Sequence, residues 1–330
     1  MIDDNVLSVL LVGCGNIAGD LDSKRTEDGL PLTHAGAYTS NPHFKIVGCV
    51  DVDKEKSNQF AVQWDITHAY ASVEEVLQAN VQFDVISICT PTSCHTADLN
   101  ACLSLSPKLI FCEKPVTDSV NKTIKIKAKC DQAGILLAVN YLRRWDERVV
   151  NLKAEIETNK RGSLRSVVGY YNKGILNNGS HLLDLLIFLV GDLIVKYVGA
   201  PNYDFFSFDP SVCVVLETSS SVPVILVPAA NASDFSIFEI QIIFEKGTLT
   251  MLDGGLMWAE RNVIDSDIFN GYKVLEPATI DQGGYAAGML NAVDNIWRAI
   301  SQGDSLDSTV DTALPTQILC EKIAKQYSLI

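Results

Sequence analysis

Short apolar runs alternate with segments of helical spacing over residues 1–140. Each apolar run ends at a glycine, a proline or a polar residue, which is typical of buried strands that lead into turns. The predicted strands are residues 7–12, 44–50, 83–89, 108–112 and 135–140, and the predicted helices are 34–38, 57–63, 73–79, 94–105 and 119–132. Strands separated by helices in this way predict an α/β doubly wound parallel sheet with helices on both faces.

The pattern changes near residue 141, where strand-like runs begin to follow one another through tight turns. Two glycine-containing turns, at residues 245–247 and 253–255, are typical of antiparallel hairpins. The predicted strands are 164–171, 194–198, 212–218, 222–227, 235–244, 248–252 and 256–260, and the predicted helices are 149–157, 182–190, 284–300 and 312–327. We therefore predict a cofactor-binding domain over residues 1–139. A substrate-binding and oligomerisation domain of α+β class, with an open, mostly antiparallel sheet, is predicted over residues 140–330.

The first predicted strand leads into a glycine-rich turn with the spacing Gly13-x-Gly15-x-x-Ala18. Gly13 allows a sharp turn, and Gly15 lets the backbone approach a diphosphate, with which a Cβ would collide. Ala18 allows the following helix to pack close to the sheet, so that its free N–H groups face the phosphates. An ordinary strand-to-glycine turn can have the same spacing. In this chain the pattern follows an apolar strand near the N-terminus, which favours a dinucleotide site. Gly13, Gly15, Asn16 and Ile17 are the predicted cofactor contacts in this turn.

An acidic residue, Asp51, directly follows the second predicted strand. A carboxylate at this position binds the ribose hydroxyls of NAD and repels the 2′-phosphate of NADP. Two alternatives are that Asp53 is the ribose-binding carboxylate, or that Asp51 is a plain turn residue. No basic residue follows before Lys54, so NAD is favoured over NADP. The interval from the glycines is long because a polar segment, residues 20–31, is inserted and is predicted to be a surface loop.

Ligands of a parallel sheet bind beyond the carboxyl ends of its strands. In addition to the glycine turn and Asp51, this rule places polar residues after three further predicted strands at the same edge. We interpret His95, at the start of a helix, as a structural or cofactor-side residue. The predicted cofactor contacts at this edge are Thr90, Pro91, His95, Glu113 and Lys114.

Two residues are candidates for catalysis, Lys114 and His181. A lysine at a strand end can donate to a substrate hydroxyl and stabilise a developing alkoxide. A cationic nicotinamide nearby would lower its pKa and let it move protons. An imidazole at the mouth of a cleft can take the hydroxyl proton as hydride leaves the carbon. The alternatives are a surface Lys-Pro turn for Lys114 and a helix-capping or core histidine for His181.

Arginines and aromatic residues follow the last strand of the first sheet. Arg143 and Arg144 could clamp a phosphate or a carboxylate, or they could form salt bridges between domains, and the sequence leaves both open. The residues predicted to bind substrate are Lys114, Asn140, Tyr141, Arg143, Arg144, Asn177, Asn178 and His181.

Composition and charge limit the partners, the compartment and the metal sites that we expect for this chain. The formal net charge of −14 argues against nucleic acid and anionic membrane surfaces. The nine cysteines form no C-x-x-C pair, which favours reduced thiols in the cytoplasm. Met1 leads straight into polar residues, so no signal peptide is expected, and no apolar run is long enough to span a bilayer. No histidine and carboxylate set has zinc spacing, so no catalytic metal is predicted.

Together these motifs resemble the glucose-fructose oxidoreductase, inositol dehydrogenase and MocA family, over nearly the whole chain. The resemblance is carried by Val12-Gly-Cys-Gly-Asn-Ile-Ala18, Cys49-Val-Asp51, Asp84-Val-Ile-Ser-Ile-Cys-Thr-Pro91 with His95, Glu113-Lys-Pro115, Val139-Asn-Tyr-Leu-Arg-Arg144 and Leu176-Asn-Asn-Gly-Ser-His181 with Asp184. It implies a Rossmann domain, a C-terminal open sheet, and a homodimer or homotetramer built on that sheet. It also implies reversible oxidation of a secondary alcohol on a sugar, cyclitol or sugar nucleotide. Lys114 would orient the substrate as a proton donor, and His181 would be the catalytic acid and base.

One position departs from the family pattern. The family usually has an aspartate four residues before the histidine, and Asn177 stands there. Members that act on nucleotide-linked sugars resemble this chain at that position, so a sugar nucleotide or an acidic sugar is the favoured substrate. The 20–31 insertion resembles members tied to surface-polysaccharide synthesis. A free-sugar or inositol dehydrogenase is the nearest alternative, and a non-catalytic NAD-binding sensor or scaffold is another.

Overall fold

The computed structural model describes residues 6–23 and 29–328. By the density of contacts along the backbone, the chain divides into two compact units. The first contains residues 1–145 and 286–314, and the second contains residues 146–285 and 315–330.

The first unit is built on six parallel strands. They are β1 (Leu7–Val12), β2 (Phe44–Val50), β3 (His68–Tyr70), β4 (Val85–Ile88), β5 (Leu109–Cys112) and β6 (Leu136–Val139). Their order across the sheet is β3-β2-β1-β4-β5-β6, so the chain starts in the middle and winds outward in both directions. This is a doubly wound Rossmann sheet, which confirms the predicted fold class. The three-residue strand β3 was absent from the sequence prediction because it is too short to show an alternating pattern.

Helices cover both faces of this sheet. The first five are α1 (His34–Thr39), α2 (Lys54–Gln63), α3 (Val73–Ala79), α4 (Thr92–Leu103) and α5 (Val120–Ala133). Apolar residues of α1 and α2 are buried in one layer with Val9 and Leu11 of β1. Residues of α3, α4 and α5 are buried in a second layer with Leu10 and Val12, which point the opposite way from the same strand.

The second unit contains a nine-stranded sheet. Its strands are β7 (Leu164–Tyr171), β8 (Leu193–Val198), β9 (Val214–Thr218), β10 (Pro223–Pro228), β11 (Phe238–Phe244), β12 (Gly247–Leu252), β13 (Met257–Asp265), β14 (Lys273–Leu275) and β15 (Thr279–Gln282). The order is β14-β13-β12-β11-β7-β10-β9-β8, with β15 paired to β13. All neighbours are antiparallel except β7 and β10, so the prediction of a mostly antiparallel sheet is confirmed.

Four further helices complete the fold: α6 (Glu147–Glu157), α7 (Gly179–Val190), α8 (Gly288–Ser301) and α9 (Val310–Tyr327). In the second unit, apolar residues of α6, α7 and the later part of α9 are buried against one face of the nine-stranded sheet. The strand pattern explains which face: Ile240, Ile242 and Phe244 are buried in this core and alternate with the exposed Gln241 and Ile243.

The units divide the chain differently from the sequence prediction. The sequence placed the boundary at residue 139, whereas the first compact unit continues to residue 145 and regains residues 286–314. The reason is helix α8, whose Met289, Val293 and Ile296 lie in the same apolar layer as Val9 and Leu11 of β1. A helix so far along the chain has no local signal that tells which sheet it covers.

Candidate functional site

The glycine turn after β1 has the close backbone approach that the motif predicts. The N–H of Gly13 donates to the Val50 carbonyl over 2.8 Å, and Gly13 has a φ of +92°. A Cβ on this residue would lie 2.8 Å from the Thr90 nitrogen and 2.9 Å from the Cys89 carbonyl carbon. By contrast, a Cβ on Gly15 would meet nothing nearer than the Lys56 Nζ at 3.7 Å. Gly13 is therefore required by the fold, while the face at Gly15 is open.

Asp51 is tied directly to this turn. One carboxylate oxygen accepts the Cys14 N–H over 3.0 Å, and the other accepts the Asp53 N–H over 3.0 Å. The Lys56 Nζ lies 3.7 Å from the same carboxylate, whose side chain is 13% exposed. Asp53, the alternative, caps helix α2 by accepting the N–H groups of Glu55 and Lys56. Asp51 is thus the carboxylate beside the glycine turn, and its binding of ribose hydroxyls stays a prediction.

The segment after the glycine turn differs from the prediction of a regular helix. Residues 15–19 form hydrogen-bonded turns, a short 3₁₀ helix follows at Asp20–Asp22, and α1 begins only at His34. The buried Asp22 carboxylate accepts the N–H groups of Leu32 and Thr33, so the end of the inserted segment is anchored to its start. The surface-loop prediction is therefore wrong for Asp22, and its residues 24–28 lie outside the described part of the chain.

A second cofactor-side turn follows β4. The Thr90 hydroxyl donates to the Asp98 carboxylate over 2.6 Å. The ring of His95, 1% exposed, lies 2.8 Å through Nε2 from the Thr90 carbonyl oxygen and 2.8 Å through Nδ1 from the Pro115 carbonyl oxygen. His95 therefore links the turn after β4 with the turn after β5.

The turn after β5 contains Glu113 and Lys114. The Glu113 carboxylate accepts the Asn140 amide over 2.7 Å, lies 3.1 Å from the His34 Nε2, and accepts the Lys114 backbone N–H over 3.3 Å. Burial by itself raises the pKa of this carboxyl, but the hydrogen bonds from His34 and Asn140 and the charge of Lys114 lower it below its usual value. Glu113 is thus an ionised acceptor that fixes the backbone of the candidate catalytic lysine.

His34 was missed as a functional residue from the sequence. Its ring is fully buried, with Nδ1 3.3 Å from the Ser87 hydroxyl, which in turn is 2.9 Å from the Tyr38 hydroxyl. A chain of polar groups therefore runs under the sheet edge from Tyr38 to Glu113. The sequence signal was weak because His34 lies in a six-residue helix far from Glu113 along the chain.

Asn140 and the residues after it are buried. Asn140 is 5% exposed, and its Oδ1 has no hydrogen-bond partner among the described residues. Tyr141, Arg143 and Arg144 are also buried, and the Arg144 guanidinium donates to the Thr312 carbonyl over 3.2 Å. That bond gives Arg144 a structural role within the first unit. Binding of a substrate anion by Arg143 or Arg144 stays a prediction.

The first unit brings its candidate residues to one edge of the sheet. Gly13 follows β1, Asp51 follows β2, Thr90 follows β4, Lys114 follows β5 and Asn140 follows β6. All these strands are parallel, so the five residues stand at the same carboxyl edge. The residues present fit an NAD cofactor: an open glycine face for the diphosphate and a carboxylate for the ribose.

The other candidate segment, residues 173–181, lies in the second unit. It begins with a π-helical turn, Gly174–Asn178, which leads directly into α7. The buried Asp209 carboxylate accepts the N–H groups of Leu176 and Asn177, each over 2.9 Å. The Lys173 N–H donates to Asp204 over 2.9 Å. Two aspartates from the loop before β9, which the sequence did not single out, therefore hold this turn.

Three residues of this segment are predicted site residues. The Asn177 amide donates to the Lys173 carbonyl over 3.2 Å, so it supports the turn itself. Asn178 and His181 are both half-buried, and His181 lies in the first turn of α7. Asp184, one turn further on, is buried and accepts the Thr316 hydroxyl over 3.1 Å, which is a packing role. The meeting of His181 with Lys114 stays a prediction.

No group of three or more histidine, cysteine, aspartate or glutamate side chains is arranged to hold a metal within residues 6–23 and 29–328. None of the helices in that part of the chain has both the length and the apolar character needed to cross a bilayer.

Comparison with known proteins gives the family of the N-terminal part of the chain. Residues 7–141 match a model named GFO_IDH_MocA, an oxidoreductase family with an NAD-binding Rossmann fold. The chain is 26% identical over 182 residues to the inositol 2-dehydrogenase of Mycolicibacterium gilvum, covering 50% of this chain and 52% of the relative. It is 23% identical over 324 residues to the inositol 2-dehydrogenase of Rhizobium meliloti, covering 89% and 93%. Several curated relatives are matched over only 38% to 54% of their length.

A solved structure extends the likeness to the whole fold. The WlbA dehydrogenase from Bordetella pertussis, solved in complex with NADH and UDP-GlcNAcA, has a TM-score of 0.75 with this chain at 17% identity. The match covers 98% of this chain and 97% of that one. Family match and fold agree with the glycine turn, Asp51 and the Glu113-Lys114-Pro115 turn on one sheet edge. Residues 7–141 therefore belong to the Gfo/Idh/MocA family of oxidoreductases, and the first unit is an NAD-binding Rossmann domain.

Proposed function

We propose that the protein is an NAD-dependent dehydrogenase that oxidises a secondary alcohol of a sugar or sugar nucleotide. One observation carries the proposal: Lys114 follows β5 at the carboxyl edge that also carries the glycine turn and Asp51. Its backbone N–H is fixed by the Glu113 carboxylate, which in turn accepts a hydrogen bond from Asn140. A lysine held this way can meet a hydroxyl group beside the cofactor.

Each residue has a defined task in this proposal. Bound NAD supplies the hydride acceptor. Lys114 donates a hydrogen bond to the substrate hydroxyl and stabilises the developing alkoxide. His181 removes the hydroxyl proton as general base and returns it in the reverse direction. Asn177 cannot exchange protons at neutral pH, so it orients substrate and supports its own turn.

Two features favour a sugar nucleotide as the substrate. Asn177 replaces the aspartate usual in the family, as in members that act on nucleotide-linked sugars, and a structural neighbour is solved with UDP-GlcNAcA. Against this, the relatives from Mycolicibacterium gilvum and Rhizobium meliloti are named inositol 2-dehydrogenase. In addition, the Arg144 guanidinium donates to the Thr312 carbonyl. We favour the sugar nucleotide, with surface-polysaccharide synthesis as its setting. A free-sugar or inositol dehydrogenase is the second candidate.

A non-catalytic NAD-binding role is the third candidate, and Asn177 is the observation that favours it. It requires tight NAD binding without turnover of any polyol. We also propose that the protein acts as a homodimer or homotetramer through the sheet of the second unit.

Turnover assays test the proposal. The protein is incubated with NAD⁺ and panels of inositols, free sugars and UDP- or TDP-linked sugars, and NADH formation is followed by absorbance. We expect turnover in one panel, with kcat reduced about 10²–10⁴-fold by Lys114→Met and by His181→Ala, because each removes a proton donor or acceptor.

Lys108→Met is the matched control, because Lys108 precedes the same strand at its opposite end and pairs with Asp84 on the surface. It should leave kcat unchanged. Full activity of Lys114→Met would contradict the mechanism. NADH binding with no turnover in any panel would establish the non-catalytic alternative.

A further inference from the structure

The buried ring of His95 has an unusual set of partners. Its Nδ1 lies 2.8 Å from the Pro115 carbonyl oxygen, and its Nε2 lies 2.8 Å from the Thr90 carbonyl oxygen. A carbonyl oxygen accepts hydrogen bonds and donates none, so each contact requires an N–H on that ring nitrogen. A neutral imidazole has one N–H, whereas the imidazolium has two.

The other arrangements of this ring are costly. In a neutral ring, one nitrogen lone pair would face a carbonyl lone pair at 2.8 Å. Turning the ring over would place C–H groups against both oxygens in a site that is 1% exposed, and both hydrogen bonds would be lost. Leaving a buried polar group without its hydrogen bond is unfavourable. Two charge-assisted bonds to carbonyl groups satisfy the doubly protonated ring completely.

The surroundings of the ring are compatible with a positive charge. Asp98, one turn further along α4, is an acidic group that interacts with His95; burial raises its pKa above the usual value, and the Thr90 hydroxyl and His95 oppose that rise. The charge of Glu74, on α3, also raises the pKa of Asp98. From β5, the Cys112 sulfur lies 3.9 Å from Nδ1, and burial raises the pKa of this thiol, so it stays neutral.

The two carbonyl groups belong to different turns of the candidate site. Thr90 is in the turn after β4, which the glycine turn touches through Gly13. Pro115 directly follows Lys114, whose other neighbour, Glu113, is held by His34 and Asn140. A ring that binds both carbonyls therefore fixes the spacing between the cofactor-side turn and the lysine.

We propose that His95 is a positioning residue held as a doubly protonated imidazolium, which clamps the Thr90 and Pro115 carbonyl groups and so sets the place of Lys114 beside the cofactor. The protonation state follows from the geometry of His95 alone. The positioning role rests on the proposed function of Lys114.

Nuclear magnetic resonance of the full chain, labelled with ¹⁵N at histidine, measures the protonation state directly. The five histidines are assigned with single variants, His95→Gln among them. At neutral pH we expect both ring nitrogens of His95 to show bonded protons. The half-buried His68 is the internal reference for a ring outside the clamp. A signal from one unprotonated nitrogen of His95 would overturn the proposal.

Two functional measurements test the clamp. NADH affinity, by fluorescence titration, should fall about tenfold in His95→Gln and stay unchanged in His68→Gln. In the wild-type protein, it should fall over the same rise in pH that removes a proton from His95. If His95→Gln does not fold, the His95 signal is assigned by elimination from the four other histidine variants. The pH profile of NADH affinity in the wild-type protein then tests the clamp. Unchanged NADH affinity on deprotonation would overturn the clamp.

The outcomes separate this proposal from the proposed function. A doubly protonated His95 and pH-dependent NADH affinity, with no turnover of any alcohol, would support the clamp and contradict the dehydrogenase. Turnover with a singly protonated His95 would support the dehydrogenase and overturn the clamp. If the clamp and the dehydrogenase function are both correct, His95→Gln should also lower kcat at saturating NAD⁺, because Lys114 then loses its fixed place.

Discussion

Gly13 and Gly15 lie two residues apart in one turn, yet a side chain at each would have different consequences. At Gly13 the φ of +92° is strained for any other residue, and a Cβ would contact the backbone of Cys89 and Thr90 at 2.8–3.0 Å. At Gly15 a Cβ has 3.7 Å to its nearest neighbour, a flexible lysine tip. Gly13 is therefore required by the fold, whereas Gly15 is the predicted contact of the diphosphate.

We expect Gly13→Ala to lower the free energy of unfolding by about 2–4 kcal/mol, because strain and a backbone collision add. Gly15→Ala should change it by less than about 1 kcal/mol but weaken NADH binding about tenfold or more, because the methyl group occupies the space of the diphosphate. Urea unfolding and NADH fluorescence titration measure the two effects. Equal destabilisation by both variants would contradict the division of roles.

Residues also differ in how well their role can be predicted from the sequence. Asp51 follows a strand of obvious pattern, so its place was readable from its neighbours. His34 was not, because its partner Glu113 lies on another strand and is reached only in the folded sheet. The same holds for Asp209, which holds the turn at Leu176 and Asn177 from a distant loop.

At the level of elements, an ion network joins helix α6 to strand β13. Glu260 of β13 accepts two bonds from Arg161, at 2.9 and 3.2 Å, and one from Arg148 of α6 at 3.3 Å. Arg161 also binds Glu155 of α6 over 2.6 Å. Hydrogen bonding to Arg161 is the largest effect on the pKa of Glu260, and the net result is a pKa below the usual value despite partial burial.

A lowered pKa gives the sign of the pH dependence. The ionised Glu260 stabilises the folded state above the unfolded pKa of about 4.3, and this contribution is lost as pH falls through the lower folded value. Glu260→Gln should therefore reduce the free energy of unfolding by about 1–2 kcal/mol at pH near 7, where two arginines lose their partner. The difference from wild type should shrink below a pH of about 4.

Urea unfolding at several pH values measures this effect. Asp265→Asn is the control, because Asp265, also on β13, forms a single, well-exposed pair with Lys273 of β14. It should leave the unfolding midpoint unchanged near neutral pH. A pH-independent loss in Glu260→Gln would show that shape, not charge, matters at this position.

At the scale of the whole molecule, one face of the nine-stranded sheet is covered and the other is open. The helices pack against the face that carries Val167 and Tyr171. The opposite face carries Val168, Tyr170 and Tyr197, and the two tyrosines are 41% and 58% exposed. An exposed apolar face of this kind is typical of an interface between protein chains.

If copies of the chain pair through this face, Val168→Lys should convert the oligomer to a monomer, because a buried unpaired ammonium in the interface is costly. Light scattering after gel filtration measures the mass. Val62→Lys, on exposed helix α2, is the control and should leave the mass unchanged. A monomeric wild-type protein, or an oligomer in Val168→Lys, would contradict the proposed interface.

Local pattern accounted for much of the fold and for one half of the candidate site. The apolar runs predicted five of the six strands of the first sheet, and the glycine spacing predicted the turn beside Asp51. Pattern failed where an element was short, as at His68–Tyr70, or where the same apolar spacing suited either sheet, as in helix α8. It also failed for the residues after Gly15, where it predicted a helix and the chain makes turns.

The sequence by itself determined the class of fold, the family resemblance and the residues of the cofactor turn, because strand period, glycine spacing and strand-end carboxylates are properties of neighbours along the chain. Only the tertiary structure decided which distant groups hold those residues in place. His34 reaches Glu113, His95 joins Thr90 to Pro115, and Asp209 fixes the turn before His181. Such contacts depend on strand order and sheet geometry, and no short stretch of sequence contains that information.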